Sequence, residues 1–264
     1  MALTIQNLVD RILQDIPGAP LEDTVDTFKC GDPSQEVKGV VTTFLASYEV
    51  IQKAITLDAN FIITHEPTYY NHLDEVDDAL ANNPIYQAKR RLLDEHGIVV
   101  WRFHDHWHRH KPDGIMAGVV QQLGWEDYLE SPDAPIFSVP ATSLQDLIAE
   151  VKVKLAIEIV RVVGDLGMVC QRVALLVGSP PAKWQLMALA QEDVDVLLTG
   201  EVKEWETSEA ARDAIAQGRS KALVVLGHAN SEEPGMAYLV PWLNERLPDV
   251  PVTHVPVGDA FQYV

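Results

Sequence analysis

Cysteine is scarce: Cys30 and Cys170 are the only two in 264 residues, and no CxxC pair occurs. That usage excludes a disulfide framework. Long apolar runs are also missing. "VALLVG" (173–178) and "ALVVLG" (222–227) are far too short to cross a bilayer. The start, "MALTIQNLVDRILQDIP", lacks the basic n-region and long apolar stretch of a signal peptide, so a cytoplasmic location away from membranes is expected. Basic charge is short as well: 20 Lys and Arg stand against 39 Asp and Glu, a net −19. A nucleic-acid surface needs clustered cations and is therefore not expected. The most basic stretch, "KRRLLDEHG" (89–97), runs straight into acids and reads as a solvated helix face. A GxxxxGK[ST] phosphate loop is absent too.

With 47% hydrophobic and 22% charged residues, the chain can bury a substantial core in one large domain or two ordinary lobes. "TIQNLVDRILQDI" (4–16) spaces its apolar residues as a helix does, with Thr4 as N-cap. "VKGVVTTFLA" (37–46) predicts a strand followed by a helix over 47–57. "NFIIT" (60–64) predicts a short buried strand, 84–96 a helix and "IVVWRF" (98–103) another strand. Similar grammar then repeats. Strands are expected at "PIFSVP", 158–164, 169–178, 194–199 and 222–227, and helices at 144–156, 181–191, 202–217 and 233–246. This alternation means an α/β fold with mostly parallel sheets. Turn residues cluster in "LESPDAPIF" (129–137), which suggests two α/β lobes, 1–130 and 131–264.

Polar groups recur where apolar strands stop. His65-Glu66 follows "FIIT", His104 to His108 follow "VVWRF", Thr199-Gly200-Glu201 follows "DVLL", and His228 to Glu232 follow "LVVLG". In open α/β sheets, ligands gather at these carboxyl ends. On an extended backbone, His104, His106 and His108 of "HDHWH" would share one side and could grip one ion; a surface loop is the plainer reading. His106 and His110 are expected to be bystanders. His65-Glu66 alone fits a turn as well as a site. His228 and Glu232 face the same way only if a helix begins there. Thr199 and Glu201 stand at a strand-to-helix turn, where a helix cap is the simpler explanation. Together, imidazoles and carboxylates at four strand ends suit a two-ion site for Zn, Fe, Mn, Co or Ni.

"ANFIITHEP", "HDHWH" with "PDGI", "DVLLTGEVKEWETSEAA" and "GHANSEEPGM" resemble, in that order, the signature blocks of the NIF-three-like family, often labelled GTP cyclohydrolase type 2 homologues. The resemblance implies two α/β lobes with a pair of divalent metals in a cleft between them, and a ring-shaped homo-oligomer, often a hexamer. It also implies ligands at His65, Glu66, His104, His108, His228 and Glu232. Two slots depart from the family pattern: Glu66 stands for a His and His108 for an Asp, leaving the ligand charge unchanged. Asp105 could fill the Asp slot instead. The shorter chain leaves little room for the inserted domain of some members, so the plain two-lobed form is expected.

The leading expectation is a metal-dependent hydrolase of the cyclohydrolase or phosphoesterase kind, acting on a small molecule through an activated water. One ion would be held by His65 and His108 and the other by Glu66 and His228, with Glu232 bridging. His104 would ligate or orient a ligand. Glu201 would handle protons and Thr199 would contact substrate. One alternative is a metal-handling scaffold whose ions hold the oligomer together. Another is an all-helical phosphohydrolase of the His-Asp type, suggested by His104-Asp105; the strand before His104 argues against it.

Overall fold

Helix starts follow the side chains that can cap them. Thr4, Ser47, Asn83 and Ser143 each accept a hydrogen bond from a first-turn amide of the helices Ile5–Gln14, Tyr48–Thr56, Pro84–Glu95 and Leu144–Leu155. The computed structural model describes residues 3–131 and 134–264. Its strands are β1 (Phe28–Cys30), β2 (Val40–Thr43), β3 (Phe61–Thr64), β4 (Val99–Arg102), β5 (Leu129–Ser131), β6 (Ala134–Ser143), β7 (Arg161–Val163), β8 (Val169–Leu176), β9 (Val196–Thr199), β10 (Ala222–Val225) and β11 (Val252–His254). They form two sheets in a mixed α/β fold, so the all-helical alternative is overturned.

The chain divides into two compact units, Met1–Gly118 with Gly235–Val257 and Val119–Pro234 with Gly258–Val264. The turn-rich stretch 129–137 includes residues 132 and 133, which lie outside the described residues.

The first unit holds the sheet β1-β4-β3-β2-β11. All its pairings are parallel except β1 with β4. Every residue of β2, β3 and β4 is buried, which explains why they read as continuous apolar runs and not as alternating ones. Val41, Ile62 and Val100 pack in one core with Ile51, Ala54 and Leu93 of the helices beside them. Register sets Thr43 beside Thr64, and Thr64 beside Arg102. The three strands therefore stop level, and His65 and His104 leave from the same edge.

The second unit holds β5-β6-β8-β9-β10-β7. Its centre, β8-β9-β10, is parallel; β5, β6 and β7 add antiparallel edges. Leu176, Thr199 and Val225 lie in one row, so these carboxyl ends are level too. The segment expected as one helix over 202–217 is a π-helical turn, Glu204–Ser208, running into an α-helix, Glu209–Ala216. The last helix spans His228–Arg246, five residues ahead of its expected start.

Most of the basic stretch 89–97 is solvated, but Lys89 is only 2% exposed and donates to the Thr68 carbonyl at 2.6 Å. Burial lowers its pKa from 10.5 to about 8, against the pull of Asp74 and Cys30. Between those two values the unfolded chain binds more protons than the folded one, so Lys89 disfavours folding below pH 8 and ceases to as pH rises towards 10.5. Lys89→Met is therefore expected to be more stable than wild type at pH 7, with the gap narrowing by on the order of 2 kcal/mol by about pH 9.5. Urea unfolding at both pH values checks it. An equal gap at both would mean that Lys89 is not buried as a cation.

Candidate metal centre

The extended reading of "HDHWH" is overturned. Asp105–Arg109 forms a short helix with His104 as its N-cap. Residues four apart share a helix face, so His104 and His108 project together while His106 turns away. The cause lies elsewhere in the chain. The fully buried Asp26 carboxylate accepts the amides of His104 (2.7 Å), Asp105 (3.1 Å) and His106 (2.8 Å), and pairs with His106 Nδ1 at 2.7 Å. A carboxylate against three first-turn amides is what starts a helix here.

His65 leaves β3 on a backbone held by the Phe44 carbonyl, which also receives the Glu66 amide. Its ring stacks on His104, centroids 4.4 Å apart, and meets His108 edge-on at 5.0 Å. The three histidines each offer a ring nitrogen within 4.8 Å of the others. His65 Nδ1 lies 3.4 Å from the Phe103 carbonyl, His104 Nδ1 2.9 Å from Asp105, and His108 Nδ1 2.8 Å from Asp113. A carbonyl or carboxylate oxygen only accepts, which assigns the proton to Nδ1 and a lone pair to Nε2 in all three. Burial, then the neighbouring His104 and His108, push the His65 pKa well below its usual value. Burial and His108 lower that of His104. Neutral imidazole is the ligating form.

Glu66 completes this set. Its Oε1 lies 3.6 Å from His104 Nε2, so a carboxylate faces an imidazole lone pair, an arrangement a cation stabilises. The other oxygen meets the buried Arg102 guanidinium at 3.3 Å. Arg102 also donates to the carbonyls of His65 (3.0 Å) and His72 (2.6 Å), fixing the turn that carries the pair. Asp105 does not take the place of His108: its Oδ1 stands behind His104, and its Oδ2 accepts Thr24 and the Val25 amide. Burial opposes its charge, but those bonds outweigh it and hold the pKa at about 2. His110 packs against Trp107 and Trp242.

The second unit presents its own set. The helix start at His228 puts His228 and Glu232 one turn apart, with Nε2 and Oε2 3.1 Å from each other, while Nδ1 meets Glu201 Oε1 at 3.1 Å. A second proton on the imidazole or a bound cation would each satisfy both carboxylates. The His228 bond lowers the Glu201 pKa against partial burial. Glycines make the room. At Gly178, φ +70°, an added Cβ would fall 2.1 Å from Glu232 Oε1, and one at Gly200 would meet the Gly178 carbonyl at 2.3 Å. Thr199 is fully buried and its hydroxyl receives Gln185 Nε2, which also holds the Glu201 carbonyl at 2.7 Å.

Sequence reasoning missed Asp26, Arg102, Asp113 and Gln185. Arg102 had a signal, a lone charge in an apolar strand. Asp113 had one as a cap before the helix Gly114–Leu123, whose amides at Ile115 and Met116 it accepts. Asp26 had none.

A mixed α/β chain with two sheets and histidine-rich groups able to hold a metal defines the class. The chain belongs to the Duf34/NIF3 (NGG1p interacting factor 3) family, whose profile matches residues 7–259. A "GTP cyclohydrolase 1 type 2 homolog" of Clostridium perfringens is 23% identical over 254 residues, 91% of this chain and 92% of that one. A hypothetical protein of Staphylococcus aureus shares the fold with a TM-score of 0.79 at 22% identity, and a Bacillus cereus protein related to NIF3 with 0.78 at 16%, each over 100% of both chains. Among the described residues, no helix is long and apolar enough to cross a membrane.

Proposed function

We propose that this protein binds two divalent ions per chain and hydrolyses a small-molecule substrate, as the label on its Clostridium relative suggests. The observation that carries the metal reading is the set of three imidazoles, each offering a ring nitrogen within 4.8 Å of the others and each with Nδ1 against an oxygen, with the Glu66 carboxylate 3.6 Å from His104. Three nitrogens and one oxygen suit Zn, Mn, Fe, Co or Ni. In the dinuclear form of the reading, Glu66 and His228 serve the second ion and Glu232 is shared. Two carboxylates then offset about half the charge of two dications. Such ions supply Lewis acidity and the activation of water.

The chain's own groups would do the rest. Arg102 holds the His65-Glu66 turn, and the carboxylates of Asp105 and Asp113 fix two of the rings. Glu201 is the proton-handling carboxylate, placed by its hydrogen bond to His228 at the strand end where the candidate ligands lie. Buried Thr199 contributes through Gln185, which fixes the Glu201 backbone.

A second reading is favoured by one feature. His65 is fully buried, as the ligands of a closed structural site are. That describes a metal-handling scaffold without turnover.

Turnover separates the two. Metal-loaded protein is expected to hydrolyse a member of a panel of phosphoesters and cyclic amidines, GTP included. Glu201→Gln is expected to retain its metal and lose activity by about 100-fold. A wild type that carries metal, turns over nothing in the panel, and dissociates or melts early on chelation would leave the scaffold reading standing.

A further inference from the structure

β7 is the antiparallel edge strand of the second sheet, and its register sets Arg161 directly opposite Val225. Val225 pairs on its other side with Thr199. Glu201 and His228 follow two and three residues beyond these positions, so Arg161 reaches the same sheet edge from the opposite chain direction. A cavity of about 240 Å³ opens there, lined by Arg161, Val163, Val202, Glu204, Ser208 and Val225 among others. No role described so far uses it.

Its lining is chemically divided. The valines form an apolar wall, Arg161 and Ser208 offer donors, and the two carboxylates, Glu204 and Glu209, are paired with Arg161 and Arg212. Glu204 and Ser208 are the first and last residues of the π-helical turn, a geometry that recurs at functional sites. The Arg161 guanidinium is held by Glu204 at 2.9 Å, with the side chains 58% and 80% exposed. An ion pair that exposed is worth little, so an incoming anion can replace Glu204 at small cost. A guanidinium fork also matches phosphate and carboxylate oxygens two at a time. In a chain of net charge −19 an anion needs such a local cation.

We infer that this cavity binds the oxyanion end of a small molecule bearing a short apolar stem, with Arg161 gripping the oxyanion, Ser208 donating to it, and the valines receiving the stem. As a statement about substrate, this rests on the hydrolase reading above, because the cavity shares its sheet edge with Glu201 and His228.

The test is calorimetric titration of metal-free protein, shown by circular dichroism and gel filtration to keep the fold and assembly of the metal-loaded form, with n-butyl phosphate, pentanoate and inorganic phosphate, for wild type, Arg161→Met and Val163→Phe. Wild type is expected to bind n-butyl phosphate or pentanoate saturably, and inorganic phosphate more weakly because it has no stem. Arg161→Met is expected to weaken binding about 5-fold, the upper end for an ion pair this exposed. Val163→Phe, which fills the cavity without touching the charge, should weaken the stemmed ligands alone. A preference for n-butyl phosphate identifies a phosphate ester and a preference for pentanoate a carboxylate; either supports the site. No saturable binding by wild type, or binding indifferent to Arg161→Met, overturns it. Without metal in the sample, phosphate cannot bind through an ion. A failure here is therefore separate from a failure of the metal or hydrolase reading.

Discussion

His108→Ala is expected to lower bound zinc from about two ions per chain to about one or fewer, whereas His110→Ala leaves the content unchanged. The two histidines are two residues apart in a tract where every second residue is His, so composition gives no reason to separate them. Geometry does. His108 lies one helical turn from His104, its ring 4.9 Å from that of His104 and 5.0 Å from His65. His110 is past the helix end, with Nδ1 on the Pro112 carbonyl and its ring against two tryptophans. Asp113→Ala should act at one remove. It leaves all three imidazoles in place but frees the His108 ring, and a loss of about 10- to 100-fold in affinity is usual for such a partner. Elemental mass spectrometry on untagged protein and competition with a chelator read both quantities. Equal zinc in wild type and His108→Ala would sink the ligand set.

The largest stability effect is expected at a residue with no ligand role. Asp26→Ala should destabilise the protein by about 3–5 kcal/mol, the range for removing one partner of a buried charged network. It would strand three amides and leave His106, 2% exposed, without its carboxylate. Asp26→Asn should cost less, because one oxygen still accepts while the amide group opposes the His106 donors. Asp23→Ala, at an exposed neighbouring position, should stay within about 0.5 kcal/mol of wild type. Urea unfolding ranks the three variants. The same helix carries His104 and His108, so a folded Asp26 variant should also bind metal more weakly. Wild-type stability and wild-type zinc in Asp26→Ala would show that the helix holds itself.

How legible this was depended on the range of the interaction. Elements built from local signals read well: apolar runs became β2, β3, β4, β9 and β10, and Thr4 became a cap. The position of His65 after "FIIT" and of His228 after "LVVLG" was equally visible, since strand ends and turn residues are local. The conformation of "HDHWH" was not. A five-residue stretch this rich in histidine has weak propensity of its own, and the deciding contact comes from Asp26, 78 to 80 residues away. An alternating pattern invites an extended reading; an outside carboxylate turned it into a helix. The pair His104 and His108 survives both geometries, because four is an even number and also close to one helical turn.

The sequence by itself determined the α/β class, the strand ends that carry the candidate ligands and the types of donor found there, since periodicity and turn chemistry act over a few residues. Only the tertiary structure decided which nitrogen each histidine presents, that Asp105 stands behind His104 and not beside it, and that Arg161 reaches the edge where Glu201 and His228 lie. Those outcomes depend on partners distant in the chain and on strand register, and neither leaves a local trace in the order of residues.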